Sequence, residues 1–207
     1  MKFWLIPFSN NYKYISLFEE KISEGLSYKR SNIYRFSRGY LRYCLSKVLF
    51  LPCEDIPISS LPGKPPILPP KFGYVSMSHY SNEAFLIGWS IKKIGVDLEN
   101  INRNINPDRI LKSKWFKNEK SLIRINKKND LNREILKIWV IKEALIKSNF
   151  GSIFKDYDHW LIKNEEKAVN YKLNISRNIF HTTINDWTIG LAFEEGIQYK
   201  TDFIEII

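Results

Sequence analysis

Cysteine, histidine and long apolar runs are all scarce in this chain of 207 residues. Its two cysteines, Cys44 and Cys53, fit neither a disulfide framework nor a Cys-x-x-Cys metal or redox motif, and they read as buried thiols. A chain of this length builds a real core without such staples. The apolar opening Phe3-Trp4-Leu5-Ile6 is cut by Pro7, far short of the ~20 residues of a membrane span. It also lacks the longer apolar stretch and cleavage site of a secretory signal, so a cytoplasmic protein with no membrane partner is expected. No basic tail accounts for the net charge of +10, because each half of the chain carries +5.

What is present is the mixture of an ordinary globular protein, with 44% apolar and 26% charged residues, which excludes a disordered or fibrous chain. Aromatic residues reach 14% and supply large rigid side chains to the core and to any binding surface. The positive charge is concentrated locally: Lys21–Lys47 holds seven basic residues and one acid, and Arg103–Lys137 holds eleven and four. Such a field attracts a nucleic acid, an acidic protein or a phosphate-rich small molecule, although a compositional bias toward Lys, Asn and Ile produces the same excess.

The apolar rhythm of residues 31–50 predicts a helix capped by Ser31 or Asn32. Arg35, Arg38 and Arg42 share one side of it, as a solvated face or, for Arg38 and Arg42, as an anion contact. Leu51–Pro70 holds seven of the nine prolines and reads as a wrapping loop. Strands are expected at Tyr74–His79, Ala84–Ser90 and Ile94–Glu99, the last two as a hairpin about Lys92-Lys93. Helices are expected over 108–126 and 131–149. Phe180–Ile184 and Trp187–Phe193 flank a tight Asn185-Asp186 turn. The class is α+β.

Two segments carry chemistry. In Ile94-Gly95-Val96-Asp97-Leu98-Glu99 the alternation of a strand sends Ile94, Val96 and Leu98 to the core and places Gly95, Asp97 and Glu99 on the other face. The two carboxylates then lie about 6.6 Å apart along the strand, where their repulsion asks for a cation between them, and Gly95 leaves room for a ligand near the backbone. A solvent-facing edge with two unrelated acids is the alternative. In Lys137–Lys147 apolar residues surround the helix, so Lys142, Glu143 and Lys147 need polar company. Glu143 and Lys147 form either a simple ion pair four residues apart or, with Asp97 and Glu99, three oxygen ligands for Mg²⁺ beside phosphate-holding lysines.

The pair Ile94-Gly95-Val96-Asp97-Leu98-Glu99 and Trp139-Val140-Ile141-Lys142-Glu143-Ala144-Leu145-Ile146-Lys147 resembles the double signature of the 4′-phosphopantetheinyl transferases of the larger, surfactin-synthetase-associated type. Gly63-Lys64-Pro65, the strand ending Ser78-His79, the segment Trp115-Phe116-Lys117-Asn118-Glu119 and the Arg38/Arg42 helix match in the same order. Tyr80 departs from the family's usual serine after that histidine. Without the resemblance His79 reads as a strand-end histidine with a local hydrogen bond, and His159 and His181 acquire no role.

The resemblance implies a monomer of two similar halves, 1–100 and 101–207, each with an antiparallel sheet and packed helices about a pseudo-twofold axis, with coenzyme A in the cleft between them. It implies transfer of the phosphopantetheine arm of coenzyme A to a serine of an acyl or peptidyl carrier protein. Asp97, Glu99 and Glu143 would hold Mg²⁺ or Mn²⁺. Lys142 and Lys147 would hold the coenzyme phosphates, Lys64, Ser78 and His79 would add contacts, and Arg38 or Arg42 would take the 3′-phosphate. The base is Glu143 directly or Glu119 through a water, with Lys147 assisting. The basic 108–126 stretch would steer an acidic carrier. A nucleic-acid-binding module explains the charge but not the buried acids, and a carrier-binding scaffold without activity is the third reading.

Overall fold

The computed structural model describes residues 1–9, 11–59, 61–113, 116, 118–123, 128–197 and 204–207. The chain divides into two compact units, Met1–Ile91 with Tyr199–Ile207, and Lys92–Gln198. The strand Ile94–Asn100 therefore opens the second unit, where a division at residue 100 would have closed the first half with it.

The first unit is organised by the apolar opening run. Phe3 to Ile6 form the middle of strand β1 (Lys2–Pro7), and all four side chains are buried, as a strand covered on both faces requires. Its sheet has the order β2 (Tyr74–Tyr80), β3 (Ala84–Ser90), β1, β9 (Ile204–Ile206), with β9 parallel to β1 and the other pairs antiparallel. Helix α1 (Leu17–Glu24) starts with a capping box, in which Ser16 and Glu19 satisfy each other's backbone N–H groups. Helix α2 (Tyr28–Leu49) begins a turn earlier than Ser31, at an extended Ser27, and ends where Phe50 turns left-handed with φ of 54°. Trp4, Ile6, Phe36, Leu41, Leu45 and Phe85 form its core.

The second unit is a five-stranded antiparallel sheet carrying a long helix. The strand order is β4 (Ile94–Asn100), β8 (Trp187–Phe193), β7 (Ile175–Ile184), β6 (Lys167–Asn170), β5 (Trp160–Ile162). β7 and β8 meet at the expected two-residue turn, with Asn185 at φ of 53°. The expected hairpin of β3 with β4 does not form. β3 already pairs with β1 on one side and, through the 81–83 turn, with β2 on the other, so it has no free edge, and β4 pairs with β8 instead.

The expected helix over 108–126 is also corrected. Helix α3 (Pro107–Lys112) is capped by the Asn106 side chain and stops at an extended Ser113, whose hydroxyl donates to the Ile110 carbonyl. A separate helical turn follows at Lys120–Leu122, while residues 114, 115, 117 and 124–126 of that stretch, Trp115 and Lys117 among them, lie outside the described residues. Helix α4 (Lys128–Lys147) fills the place of the second expected helix and precedes the short α5 (Ile153–Asp156). As expected, α4 is apolar on most sides: Ile135, Ile138, Ile141, Ala144, Leu145 and Ile146 all join the core. Among the described residues no helix is long and apolar enough to cross a membrane.

Candidate active site

Two glycines set the site by letting α4 lie directly on the sheet. A Cβ on Gly95 of β4 would stand 1.9 Å from the Ala144 carbonyl oxygen, and one on Gly190 of β8 would stand 2.4 Å from the Val140 carbonyl. These two residues occupy neighbouring register positions, with Gly95 opposite Ala192 and Gly190 opposite Asp97. The space beside Gly95, expected to admit a ligand, is filled by the helix backbone. The contact brings the side of α4 carrying Glu143 and Lys147 level with the Asp97 and Glu99 face of β4. Both faces of this strand are buried as far as Leu98.

Asp97 is 3% exposed, and its Oδ1 accepts a hydrogen bond from Lys147 Nζ at 2.6 Å. The same ammonium lies 3.7 Å from Glu143 Oε2. Glu99 is paired with Arg103, four residues on. Burial and the nearby Asp97 and Glu99 carboxylates push Glu143 up to about 7 against the pull of Lys147. Burial likewise raises Glu99 to about 7, aided by Asp97 and opposed by Arg103, Lys147 and the Trp139 indole. Burial works against the Lys147 ammonium, but Asp97 and Glu143 outweigh it and hold its pKa above the ordinary lysine value. Three carboxylates that feel one another thus share the charge of Lys147, with Arg103 at the Glu99 end.

Among the described residues no group of three or more Asp, Glu, His or Cys side chains is placed so that it could hold a metal ion as it stands. The donor set nevertheless suits a hard divalent ion. It is all oxygen, it crowds negative charge enough to raise two of its acids, and among the described residues the buried Glu99 Oε2 has no hydrogen-bond donor. A consequence is testable without any substrate. The unfolded-state value of these carboxylates is the ordinary one near 4.5 and the folded value is about 7, so the folded chain binds protons more tightly in that window. Their contribution to stability is complete below the lower value and is lost as the pH rises through the upper one. The melting temperature of the metal-free protein is expected to fall across this window, and Mg²⁺ is expected to raise it more at the alkaline end than at the acid end. Scanning fluorimetry at matched ionic strength reads both, and a flat profile would contradict the crowding.

The other expected site residues are placed differently. Lys142 and Glu119 are each 1% exposed and meet in a buried pair at 2.6 Å. Lys142 also donates to the Trp160 carbonyl at 2.6 Å and sits over the Tyr157 ring. Neither has a solvent face, and each is engaged by the other rather than turned toward the Asp97 carboxylate. Removing one partner of such a pair costs about 3–5 kcal/mol. Lys142→Met is therefore expected to lower the urea midpoint sharply, and adding Glu119→Gln is expected to recover much of the loss.

Arg42 is similarly engaged, donating to Glu19 Oε2 at 2.7 Å and to the carbonyls of Cys53 and Ile56. Arg38 is 3% exposed, and its Nε and Nη1 make no hydrogen bond among the described residues, with the Tyr34 ring 5.1 Å away. Burial lowers its pKa. The arginine stripe is thus inward-facing at Arg38 and Arg42, not solvated. Ser78 is buried and His79 exposed on β2, an outer strand of its sheet, and Lys64 is exposed in a turn after Gly63. Arg103 and Trp139 were not singled out as site residues by sequence. Their signals were spacing alone, Arg103 lying four residues from Glu99 and Trp139 four from Glu143.

Residues 93–192 match the family model of the 4′-phosphopantetheinyl transferase superfamily. The matched span covers nearly all of the second unit and contains Asp97, Glu99, Glu119, Lys142, Glu143 and Lys147. A search of curated proteins finds no match.

Proposed function

We propose that this protein transfers the 4′-phosphopantetheine arm of coenzyme A to a serine hydroxyl of an acyl or peptidyl carrier protein, as a Mg²⁺-dependent transferase of the larger, surfactin-synthetase-associated type. The observation that carries the reading is the meeting of Asp97, Glu99, Glu143 and Lys147 inside the matched span. Asp97, Glu99 and Glu143 would hold the ion, which when bound supplies the positive charge that a pyrophosphate needs on cleavage.

Each remaining role belongs to the chain itself. Glu143, beside Lys147 and the Asp97 carboxylate, takes the proton of the serine hydroxyl in this scheme. The serine oxygen bonds to the phosphorus bearing the pantetheine, and the bond from that phosphorus to the bridging oxygen breaks. Adenosine 3′,5′-bisphosphate leaves with the bridging oxygen. In this scheme the Lys147 ammonium, which bridges Asp97 and Glu143, turns toward a phosphate oxygen as charge develops there. Arg38, with donors to spare, takes the 3′-phosphate in this scheme, and Lys64, Ser78 and His79 supply the further coenzyme contacts that the resemblance implies.

The assay is direct. Purified protein is incubated with coenzyme A, Mg²⁺ and an apo carrier, and the carrier is weighed by mass spectrometry. Gain of one phosphopantetheine arm is expected. An unmodified carrier across acyl and peptidyl types would overturn the proposal.

A further inference from the structure

Outside the carboxylate site, the second unit holds a cavity of ≈ 300 Å³ between the early turns of α4 and the β7–β8 hairpin. Its polar lining is Arg133, Glu134 and Lys137 from the helix, and His181, Thr183 and Thr188 from the sheet. The lining follows from the register. His181 stands opposite Gly190 and Thr183 opposite Thr188, on the sheet face that α4 covers. Gly190 draws the middle of α4 onto the sheet. Lys137 and Arg133, about one and two turns toward the helix start, overhang the hydroxyl-bearing end of the hairpin.

We propose that this cavity binds a small phosphomonoester, with Arg133, Lys137, Thr183 and Thr188 around the phosphate and Glu134 facing a neighbouring hydroxyl of the ligand. The donors favour phosphate over carboxylate. A guanidinium fork, an ammonium and two hydroxyls approach from two elements, and a tetrahedral group with three terminal oxygens offers acceptors in all those directions where a carboxylate offers two oxygens in a plane. Among the described residues neither Arg133 nor Lys137 is held in an ion pair. Glu134 would repel a bare anion but accepts a hydrogen bond from an alcohol, which selects an ester of a polyol. The volume is at the lower end for small-molecule pockets, which excludes a nucleic-acid strand.

His181 is the natural reporter. Its Nε2 lies 2.8 Å from Thr188 Oγ1. Burial and the Lys137 charge push it down to about 4, so it is neutral at pH 7 while the cavity lacks an anion. A phosphate between Lys137 and Thr188 offsets that charge and moves the titration midpoint to higher pH.

The test uses the full-length protein, whose His181 ring signals are assigned with His181→Gln. Glycerol 3-phosphate is titrated at pH 7 and constant ionic strength. A saturable shift of those signals is expected with the ester and none with glycerol. Arg133→Met with Lys137→Met should weaken the ester at least about tenfold while leaving phosphopantetheine transfer and the melting temperature unchanged, since neither residue belongs to the carboxylate site or the core. Thr183→Val gives a milder loss in an intact framework. Inorganic phosphate is expected to shift the same signals more weakly, because it brings no neighbouring alcohol to Glu134. Absence of a saturable shift, an equal response to glycerol, undiminished affinity in the double variant, or inorganic phosphate binding as tightly as the ester would each overturn the assignment. The site stands apart from the transferase reading, as its readout is binding and not turnover.

Discussion

Asp97→Ala is expected to reduce phosphopantetheine transfer by about 10²–10³-fold, the loss typical when a group that stabilises developing charge is removed. Asp97 is the hinge of the charge arrangement: it takes the Lys147 ammonium at 2.6 Å and is one of the two carboxylates that raise Glu143. Its loss removes a proposed ion ligand and frees Lys147 to pair with Glu143, which lowers the pKa of the proposed base. Asp97→Asn keeps the shape and removes the charge, so it should be nearly as inactive while melting close to the parent. The comparison separates chemistry from folding. Full turnover by Asp97→Asn, measured as carrier mass against time, would remove the carboxylate from the mechanism. Loss of activity only in step with loss of folded protein would recast it as structural.

Gly190→Val should cost about 3 kcal/mol of stability or more, because overpacking a fixed interface forces backbone apart. Even a single Cβ at that position would press on the Val140 carbonyl at 2.4 Å, and at Gly95 on the Ala144 oxygen at 1.9 Å. These are backbone atoms of a helix whose hydrogen bonds resist bending, so α4 has to lift as a whole. Lifting it separates Glu143 and Lys147 from Asp97. A chain with Gly190→Ala that remains folded is therefore expected to lose transfer more than its melting temperature suggests, and Mg²⁺ should stabilise it less than the parent. Chemical denaturation and the carrier assay measure the two effects independently. A Gly190→Val chain with parental stability would show that the helix does not rest on that strand.

The parts of this site that sequence reveals are those whose geometry is local. Asp97 and Glu99 share a face because a strand alternates, and Glu143 and Lys147 share one because a helix repeats, so those pairs were readable before any coordinates. The direction of Lys142 is illegible for the same local reason. Consecutive helix residues are rotated by about 100°, so Lys142 cannot point where Glu143 points, and it turns instead to Glu119 and the Trp160 carbonyl. In a helix apolar on most sides, a polar residue signals a partner without saying in which direction. Arg42 carried no local mark of its fate either, because its carboxylate comes from Glu19 on α1. The pairing of β4 with β8 joins positions some ninety residues apart, which no alternation pattern encodes. Gly95 shows the limit most clearly: a missing side chain announces a close neighbour but does not say whether that neighbour is a ligand or a helix.

The placement of β9 bears on how the protein is made. Trp4 Nε1 donates to Glu205 Oε2 at 3.0 Å, and the parallel pairing sets Phe3 to Leu5 beside Ile204 to Ile206. During synthesis the apolar flank of β1 waits, without its neighbour strand, while all of Lys92–Gln198 is translated. That interval leaves a sheet edge open on the ribosome, a natural point of engagement for chaperones, and closing so long a loop adds an entropic delay once β9 emerges.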